Sequence, residues 1–240
     1  SPHHTVSDAG LVGGGTYPQP GEISLAHNGV LFLDELPEFK RTVLEVMRQP
    51  MEDRIVTISR AKMTVDFPAN FMLIAAMNPC PCGYYNHPER ACTCKPGAVQ
   101  QYLNRISGPL MDRIDLHVEV TPVPYNDLSE RRNGERSSMV RERVIAARKI
   151  QEARYADFPS IHANAQMSPQ LIEKYCDLDE TCRTMLKNAM CRMGLSARAH
   201  DRILKVARTI ADLDGSDNIQ SCHLAEAINY RSLDRSNWGN

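Results

Sequence analysis

The segment from Asn28 to Glu35 constrains the fold of this chain more than any other. It reads Asn-Gly-Val-Leu-Phe-Leu-Asp-Glu, a short apolar run that ends in two adjacent carboxylates. Such a run, opened by glycine, predicts a fully buried strand of a parallel sheet. A strand that buries both faces cannot also bury Asp34 unpaired. We therefore expect both carboxylates at its C-terminal edge, where parallel sheets bind ligands.

The two carboxylates suit nucleotide hydrolysis. One carboxylate can order Mg²⁺ while its neighbour polarises a water molecule, which is the arrangement of a Walker B motif. The alternative is a buried strand that runs into an acidic turn, because a short motif alone does not exclude coincidence.

Composition limits the class of protein. With 240 residues, 42% hydrophobic and 24% charged, the chain is typical of a globular protein with one large or two modest domains. A net charge of −1 gives no global field for nucleic acid, so any such contact must be local. No apolar run is long enough to span a membrane and no signal peptide is evident, so we expect a cytoplasmic protein without a membrane partner.

Three further segments are predicted as β-structure. Residues 54–67 are β-prone on both sides of a short turn and predict a hairpin with Arg60 and Lys62 near its tip. Residues 71–77 predict a second buried strand, and residues 114–120 alternate apolar and charged side chains, as an edge strand does.

Residues 8–22 are rich in glycine and proline, which predicts a mobile loop. Three consecutive glycines could cradle a phosphate. No Lys-Ser or Lys-Thr follows them at the spacing of a phosphate-binding loop, so we reject this segment as a Walker A motif.

Helical spacing of apolar residues dominates the chain from residue 126 onward. The predicted helices lie near 137–155, 168–175, 179–193, 196–213 and 220–230. We predict two domains, an α/β domain over residues 1–125 and an all-helical domain over 126–240.

The order of these elements resembles the AAA+ ATPases, in particular the branch with a helix-2 insert that contains magnesium-chelatase subunits and MCM helicases. Five stretches, at residues 1–7, 21–35, 75–83, 108–117 and 194–213, are similar to the magnesium-chelatase-like competence protein family (the ComM/YifB family). These stretches are distributed over nearly the whole chain. On this resemblance the chain is identified as a member of that family.

The resemblance implies ATP and Mg²⁺ as ligands. It makes Asp34 the Mg²⁺-side carboxylate of Walker B and Glu35 the base that orients the attacking water. Asn78, directly after the second strand, matches sensor 1, which hydrogen-bonds that water or the γ-phosphate.

The resemblance also assigns two arginines. Arg113 matches the arginine finger, which acts on the nucleotide of the next subunit; the alternative is a local pair with Asp112 or Asp115. Arg198 matches sensor 2, which reaches from the helical lid to the phosphates. The other cations on its helical face are predicted to be solvated, namely Arg202, Lys205 and Arg208.

Two segments correspond to pore elements of ring helicases. Residues 8–22 match the helix-2 insert, and the hairpin with Arg60 and Lys62 matches the pre-sensor-1 hairpin. The resemblance implies a hexameric ring whose pore takes single-stranded or branched DNA, with these cations holding phosphates. The alternative is a hairpin tip whose charges only keep it soluble.

The family pattern places the Walker A motif and its strand upstream of Ser1. The chain also begins without an initiator Met, which suggests a fragment or a processed product. We therefore expect a partial AAA+ core that lacks the P-loop strand, followed by an all-helical lid. The chain alone should neither bind nor hydrolyse ATP, whereas the intact protein should do both. The missing strand would leave an open edge on residues 71–77.

Eight cysteines without a secretion signal predict reduced thiols or a metal site. Cys80, Cys82, Cys92 and Cys94 form two Cys-x-Cys pairs that could bind Zn²⁺ tetrahedrally, with His87 as a possible replacement ligand. The alternatives are free thiols in a flexible loop or two disulfides. The other four cysteines are predicted to be core residues, namely Cys176, Cys182, Cys191 and Cys222.

Three functions follow from these observations. The first is a DNA-translocating motor that drives branch migration in recombination and natural transformation, as the resemblance implies. The second is a chelatase-type ATPase that remodels a protein partner. The third is a non-enzymatic, zinc-containing module that binds nucleic acid.

Overall fold

The computed structural model describes residues 1–61, 63–120 and 134–231. Contacts divide the chain into two units, the first formed by Ser1–Ile114 and the second beginning at Asp115. The domain boundary predicted after residue 125 lies outside the described residues.

The first unit is a mixed α/β structure of short elements. In chain order they are α1 (Asp8–Val12), β1 (Gly13–Gly14), β2 (Gln19–Pro20), α2 (Glu22–Leu25), β3 (Val30–Leu33), a 3-10 turn (Leu36–Glu38), α3 (Arg41–Val46), α4 (Arg48–Asp53), β4 (Ile55–Arg60), β5 (Met63–Pro68), β6 (Met72–Ala75), α5 (Ala98–Leu103) and α6 (Gly108–Met111). The α/β character predicted for this half is therefore confirmed.

Strands β3 and β6 form a parallel pair, as predicted. Val30 lies opposite Met72, and the register continues without interruption to the ends of both strands. The prediction of full burial is wrong, because Val30 is 54% and Met72 61% exposed while Leu31 and Leu33 are buried. Side chains alternate across a strand, and among the described residues only one face of this two-stranded sheet packs on the core.

The prediction of a loop for residues 8–22 is wrong. Ser7 caps helix α1 by accepting a hydrogen bond from a backbone N–H of its first turn, and Leu11 of that helix is fully buried. Gly13 has a φ of +111°, and a Cβ at Gly21 would lie 2.4 Å from the Gly13 nitrogen. These glycines allow two backbone segments to pack closely, which composition alone cannot distinguish from mobility.

Strands β4 and β5 form the predicted antiparallel hairpin, with Ile55 opposite Pro68 and Arg60 opposite Met63. Lys62 lies outside the described residues.

Residues 114–120 are described and form no strand, so that prediction is wrong. The His117 amide donates to the carbonyl oxygen of Tyr230 (2.7 Å), and this is an isolated contact, not a ladder. Alternating side chains form a strand only where a neighbouring strand supplies hydrogen bonds.

The second unit is helical, as predicted. Its helices are α7 (Ser137–Arg154), α8 (Pro169–Tyr175), α9 (Glu180–Met193), α10 (Ala197–Leu213) and α11 (Ser221–Asn229), with a 3-10 turn at Asn164–Gln166. The apolar faces of α8 to α11 meet in one core that includes Ile203, Ala207 and Leu224, all fully buried. Helix α7 buries Ala147 and Gln151 and leaves most of its large apolar side chains exposed. Each predicted helix lies within two residues of the observed one.

A buried ionic network crosses this core. The fully buried Asp212 carboxylate accepts hydrogen bonds from Arg154 (2.5 and 2.7 Å), from Asn164 (2.8 Å) and from Arg208 (3.1 Å). Arg208 is 3% exposed, so the prediction that it is solvated is wrong. Its guanidinium is buried because Asp212, four residues along α10, compensates its charge.

We expect Asp212→Ala to destabilise the second unit by about 3–5 kcal/mol, because it leaves two arginines without their shared counterion. Hydrogen exchange of the α7 and α10 amides in the full-length protein measures this loss. The matched control is Asp177→Ala, which removes a carboxylate that pairs with Arg183 at the surface (2.9 Å) and should leave protection nearly unchanged.

The network also predicts a pH dependence. Burial alone would raise the pKa of Asp212, but hydrogen bonds from Arg154 and Asn164 hold that pKa below its usual value. A lowered pKa in the folded state stabilises the fold above the pKa of the unfolded state, about 3.9. This stabilisation is lost as the pH falls through the folded-state pKa. Melting curves of the wild type should show this acid limb, and Asp212→Ala should flatten it.

Candidate nucleotide site and cysteine cluster

The predicted Walker B carboxylates lie at the C-terminal end of β3. Hydrogen bonds between the two chain segments continue beyond the ends of β3 and β6. The Ala76 amide donates to the Leu33 carbonyl (2.9 Å), and the Leu36 amide donates to the Ala76 carbonyl (3.0 Å). The carboxyl ends of both strands are thereby held at one edge. Asp34 and Glu35 are exposed there.

Asn78 follows two residues after Ala76 and is also exposed. Its place on the neighbouring strand end is the one expected for a side chain that shares a ligand with the two carboxylates.

Glu35 has a left-handed backbone, with φ 53° and ψ 46°. Among the described residues it is one of four non-glycine residues with positive φ. The Asp34 carboxylate accepts a hydrogen bond from the Glu35 amide (2.9 Å), which stabilises this turn. Such a conformation costs free energy and is concentrated at functional sites.

His4 is a neighbour of Glu35 that the sequence analysis missed. Its Nδ1 lies 3.3 Å from the Glu35 Oε2, and its ring meets Phe39 edge-on with centroids 6.3 Å apart. The His-His pair near the N-terminus is visible in the sequence, but no spacing rule connects it to a carboxylate so far along the chain.

The carboxylates at this edge fit a Mg²⁺ ion. Mg²⁺ takes hard oxygen ligands and usually uses one or two carboxylates together with phosphate oxygens and water. Asp34 supplies an exposed carboxylate of this type at the strand end.

Arg113 is buried, with 7% of its surface exposed. Its Nη2 lies 3.0 Å from the Glu52 Oε2, and its Nη1 donates to the Pro109 carbonyl (2.6 Å). The described partner is therefore Glu52, which neither sequence alternative named. Arg198 belongs to the second unit, where it lies exposed in the first turn of α10.

Arg60 connects the hairpin to the glycine-rich segment. Its Nε donates to the Gly15 carbonyl (3.0 Å) and its Nη1 donates to the Ser59 carbonyl (2.9 Å). The two predicted pore segments therefore contact each other through Arg60, which the sequence analysis did not predict.

Four cysteines converge after Asn78, as the metal hypothesis requires. The sulfur atoms of Cys80, Cys82, Cys92 and Cys94 all lie within 4.8 Å of one another. The backbone N–H of Tyr84 is the main cause that lowers the pKa of Cys82 to about 5. Burial, together with hydrogen bonding to other sulfur atoms of the cluster, raises the pKa of Cys92 and Cys94. The metal hypothesis therefore rests on the convergence of the four sulfur atoms and on the affinity of thiolates for metal ions.

The other cysteines divide into two pairs. Cys176 and Cys182 are buried in the second unit, as predicted, whereas Cys191 and Cys222 are exposed. The prediction that all four are core residues is therefore wrong for Cys191 and Cys222, which project from the outer faces of their helices.

Among the helices of the described residues, none is both long and apolar enough to cross a membrane.

Comparison with known proteins places the chain in a family. A family model described as magnesium chelatase, subunit ChlI, matches residues 1–128, and its C-terminal counterpart matches residues 134–231. Competence protein ComM of Haemophilus influenzae is 49% identical over 236 residues, which cover 98% of this chain and 45% of ComM. Uncharacterized protein YifB of Salmonella typhimurium is 47% identical over the same shares.

A more distant relative is the zygotic DNA replication licensing factor mcm6 of Xenopus tropicalis, 24% identical over 226 residues, or 91% of this chain and 26% of mcm6. The chain spans about half the length of the curated relatives ComM and YifB, 45% in each case. With matches over both parts of the sequence, the chain belongs to the magnesium chelatase subunit ChlI family and has ComM and YifB among its relatives.

Proposed function

We propose that the full-length protein is an ATP-driven motor that acts on DNA. The observation that carries the proposal is the common edge formed by the ends of β3 and β6, where Asp34, Glu35 and Asn78 are exposed together. In this proposal residues 1–125 form a partial AAA+ core and residues 126–240 form a helical lid, and both contribute residues to the nucleotide site.

Each residue at the edge has a separate role. Asp34 would hold Mg²⁺ with the nucleotide, and the ion would screen the phosphate charges. Glu35, whose backbone has the left-handed conformation at the end of the strand, would accept a proton from the attacking water. Asn78 would orient that water or the terminal phosphate through its amide.

Two arginines would complete the nucleotide site. Arg198, from the lid, would contact the phosphates of its own subunit as sensor 2. Arg113 would act as an arginine finger on the neighbouring subunit of a hexameric ring. For that role its guanidinium must exchange the Glu52 carboxylate for phosphate oxygens, which also accept charge-assisted hydrogen bonds from arginine.

DNA is the proposed substrate of the motor. The relative mcm6 is named a DNA replication licensing factor, and ComM is named a competence protein. The hairpin and the glycine-rich segment would line the pore and hold the phosphate backbone without reading sequence. We accordingly propose branch migration during recombination and natural transformation, in the cytoplasm.

The test is the ATPase rate of the full-length protein with and without branched DNA. Stimulation by DNA supports the motor. ATPase activity that DNA does not change would favour the second candidate, a chelatase-type ATPase acting on a protein, for which the ChlI match is the argument. DNA binding without any ATPase activity would favour the non-enzymatic module.

We expect Arg60→Ala combined with Lys62→Ala to weaken DNA stimulation several-fold while basal ATPase stays near the wild-type rate. The hairpin would face the DNA and not the nucleotide, and removing a cation that binds phosphate weakens binding at all sequences. ATPase titrations with DNA at two salt concentrations measure the effect, since a protein that neutralises fewer phosphates shows a smaller salt dependence.

Two variants serve as controls. Arg60→Lys keeps the charge but not the planar group that reaches the Gly15 carbonyl, so it separates phosphate binding from support of the glycine-rich segment. Arg192→Ala removes an exposed cation of the second unit and should change nothing. Unchanged DNA affinity in the double variant would reduce the hairpin charges to a solubilising role.

A further inference from the structure

The segment between β6 and α5 has no regular structure to hold it. Residues 76–97 are described and form no helix or strand. A connection of this length in a compact unit is uncommon unless something other than secondary structure fixes it. Its polar middle part, which runs from Tyr84 to Arg90, offers few apolar side chains for a core.

The four cysteines lie where a fixed point is needed. Cys80 is fully buried and belongs to a small cluster with Val99, Tyr102 and Leu103 at helix α5. Cys82, Cys92 and Cys94 are partly buried against the same cluster. The second Cys-x-Cys pair, at the far end of the loop, therefore packs against the same residues of α5 as the first pair.

The sulfur positions fit one tetrahedral ion. The Sγ atoms are separated by 3.3 Å (Cys80 and Cys82), 3.8 Å (Cys80 and Cys92) and 3.5 Å (Cys82 and Cys92). Four sulfurs at about 2.3 Å from a tetrahedral Zn²⁺ lie about 3.8 Å from one another. A disulfide needs about 2.05 Å. A cluster of several irons needs a wider cage than one in which all four sulfurs lie within 4.8 Å.

A tight turn brings the sulfur atoms of Cys80 and Cys82 close together. The Gly83 amide donates to the Cys80 carbonyl (3.0 Å), and Gly83 has a φ of +82°. Proline at the second position and glycine at the fourth suit such a turn, and Pro81 and Gly83 occupy them. The constrained turn lets a Cys-x-Cys pair direct both sulfurs to one point.

His87 takes no part in the cluster. Its Nδ1 accepts hydrogen bonds from the backbone amides of Glu89 and Arg90 (both 3.1 Å), and its ring packs edge-on against Tyr84. The ligand set is therefore the four sulfurs, and the hypothesis that His87 replaces one of them finds no support among the described contacts.

We propose that Cys80, Cys82, Cys92 and Cys94 bind one structural Zn²⁺ ion. Four thiolates close the coordination shell and leave no position for a substrate, so the ion has a structural and not a catalytic role. It joins the chain two residues beyond Asn78 to the segment that enters α5. This proposal does not depend on ATP hydrolysis or on DNA as the substrate.

The decisive experiment is residue-resolved alkylation of the full-length wild-type protein, purified without chelator. Iodoacetamide labelling followed by mass spectrometry should find the four cluster cysteines protected, and they should become reactive after zinc is removed by a chelator. Cys191 and Cys222 are exposed and serve as internal controls that label before and after removal. Cluster cysteines that label at the same rate in both states would overturn the proposal.

Elemental analysis measures the stoichiometry. We expect about one equivalent of zinc in the wild type and in the control variant Cys191→Ser with Cys222→Ser. The cluster variant Cys92→Ser with Cys94→Ser should lose this zinc. Cobalt replacement of the wild type tests the geometry without any variant, because tetrahedral cobalt thiolate sites absorb visible light. Less than about a tenth of an equivalent of zinc, or iron in its place, would contradict a zinc site. Zinc retained in full by the cluster variant would place the metal elsewhere.

Discussion

Replacing Glu35 with glutamine in the full-length protein is expected to preserve ATP binding and to abolish turnover. The amide has nearly the shape of the carboxylate, but it cannot accept a proton from water. General-base catalysis contributes about 10²–10⁴-fold, so we expect the ATPase rate to fall at least about a hundredfold. Equilibrium titration with nucleotide and steady-state ATPase assays measure the two effects separately.

The matched control is Glu38→Gln. Glu38 is a nearby surface carboxylate that pairs with Arg105 (2.8 Å), and it has no place at the strand ends. Its variant should keep the wild-type rate, because exposed ion pairs contribute little. A Glu35→Gln rate within about tenfold of wild type would exclude Glu35 as the base.

The position of the carboxylates could be predicted from sequence, whereas their immediate surroundings could not. An apolar run followed by Asp34 and Glu35 requires that the charged groups emerge at a strand end, and this is where they lie. The left-handed turn at Glu35 and its contact with His4 depend on backbone dihedrals and on a remote segment. Local patterns contain neither kind of information.

The helices of the second unit were predictable for a related reason. Apolar residues recur at helical spacing in each of them, and in α8 to α11 burial of these residues in a common core stabilises the helix. Arg208 shows where the reasoning fails, because a cation on a helix is normally solvated unless a counterion is buried with it. Asp212 supplies that counterion four residues later, but its burial depends on Arg154 of another helix.

The prediction of a mobile loop for residues 8–22 is wrong because glycine occurs in two kinds of segment. It relaxes the backbone in mobile loops, and it permits close approach in packed ones. At Gly13 and Gly21 the second use applies, and the Arg60 contact to the Gly15 carbonyl holds the same segment against the hairpin. Only tertiary contacts distinguish these cases.

Replacing Arg113 with alanine is expected to lower the ATPase rate of the full-length protein by roughly 10³-fold or more, the effect of losing an arginine finger. ATP binding should survive, because in the proposed role the finger would contact the nucleotide of another subunit. Arg105→Ala removes a surface arginine of the same unit and should be nearly neutral. A loss of activity alone leaves a second explanation, since Arg113 is buried and pairs with Glu52.

Mixing two inactive variants separates these explanations. A subunit with Arg113→Ala keeps Glu35, and a subunit with Glu35→Gln keeps Arg113. In a ring with heterologous interfaces, about a quarter of the sites in an equal mixture would combine an intact Glu35 with an intact Arg113 from the neighbour. We therefore expect the mixture to recover ATPase activity that neither variant has alone. If Arg113 acts only within its own chain, by holding Glu52, every subunit stays defective and the mixture gives no more than the sum of its parts.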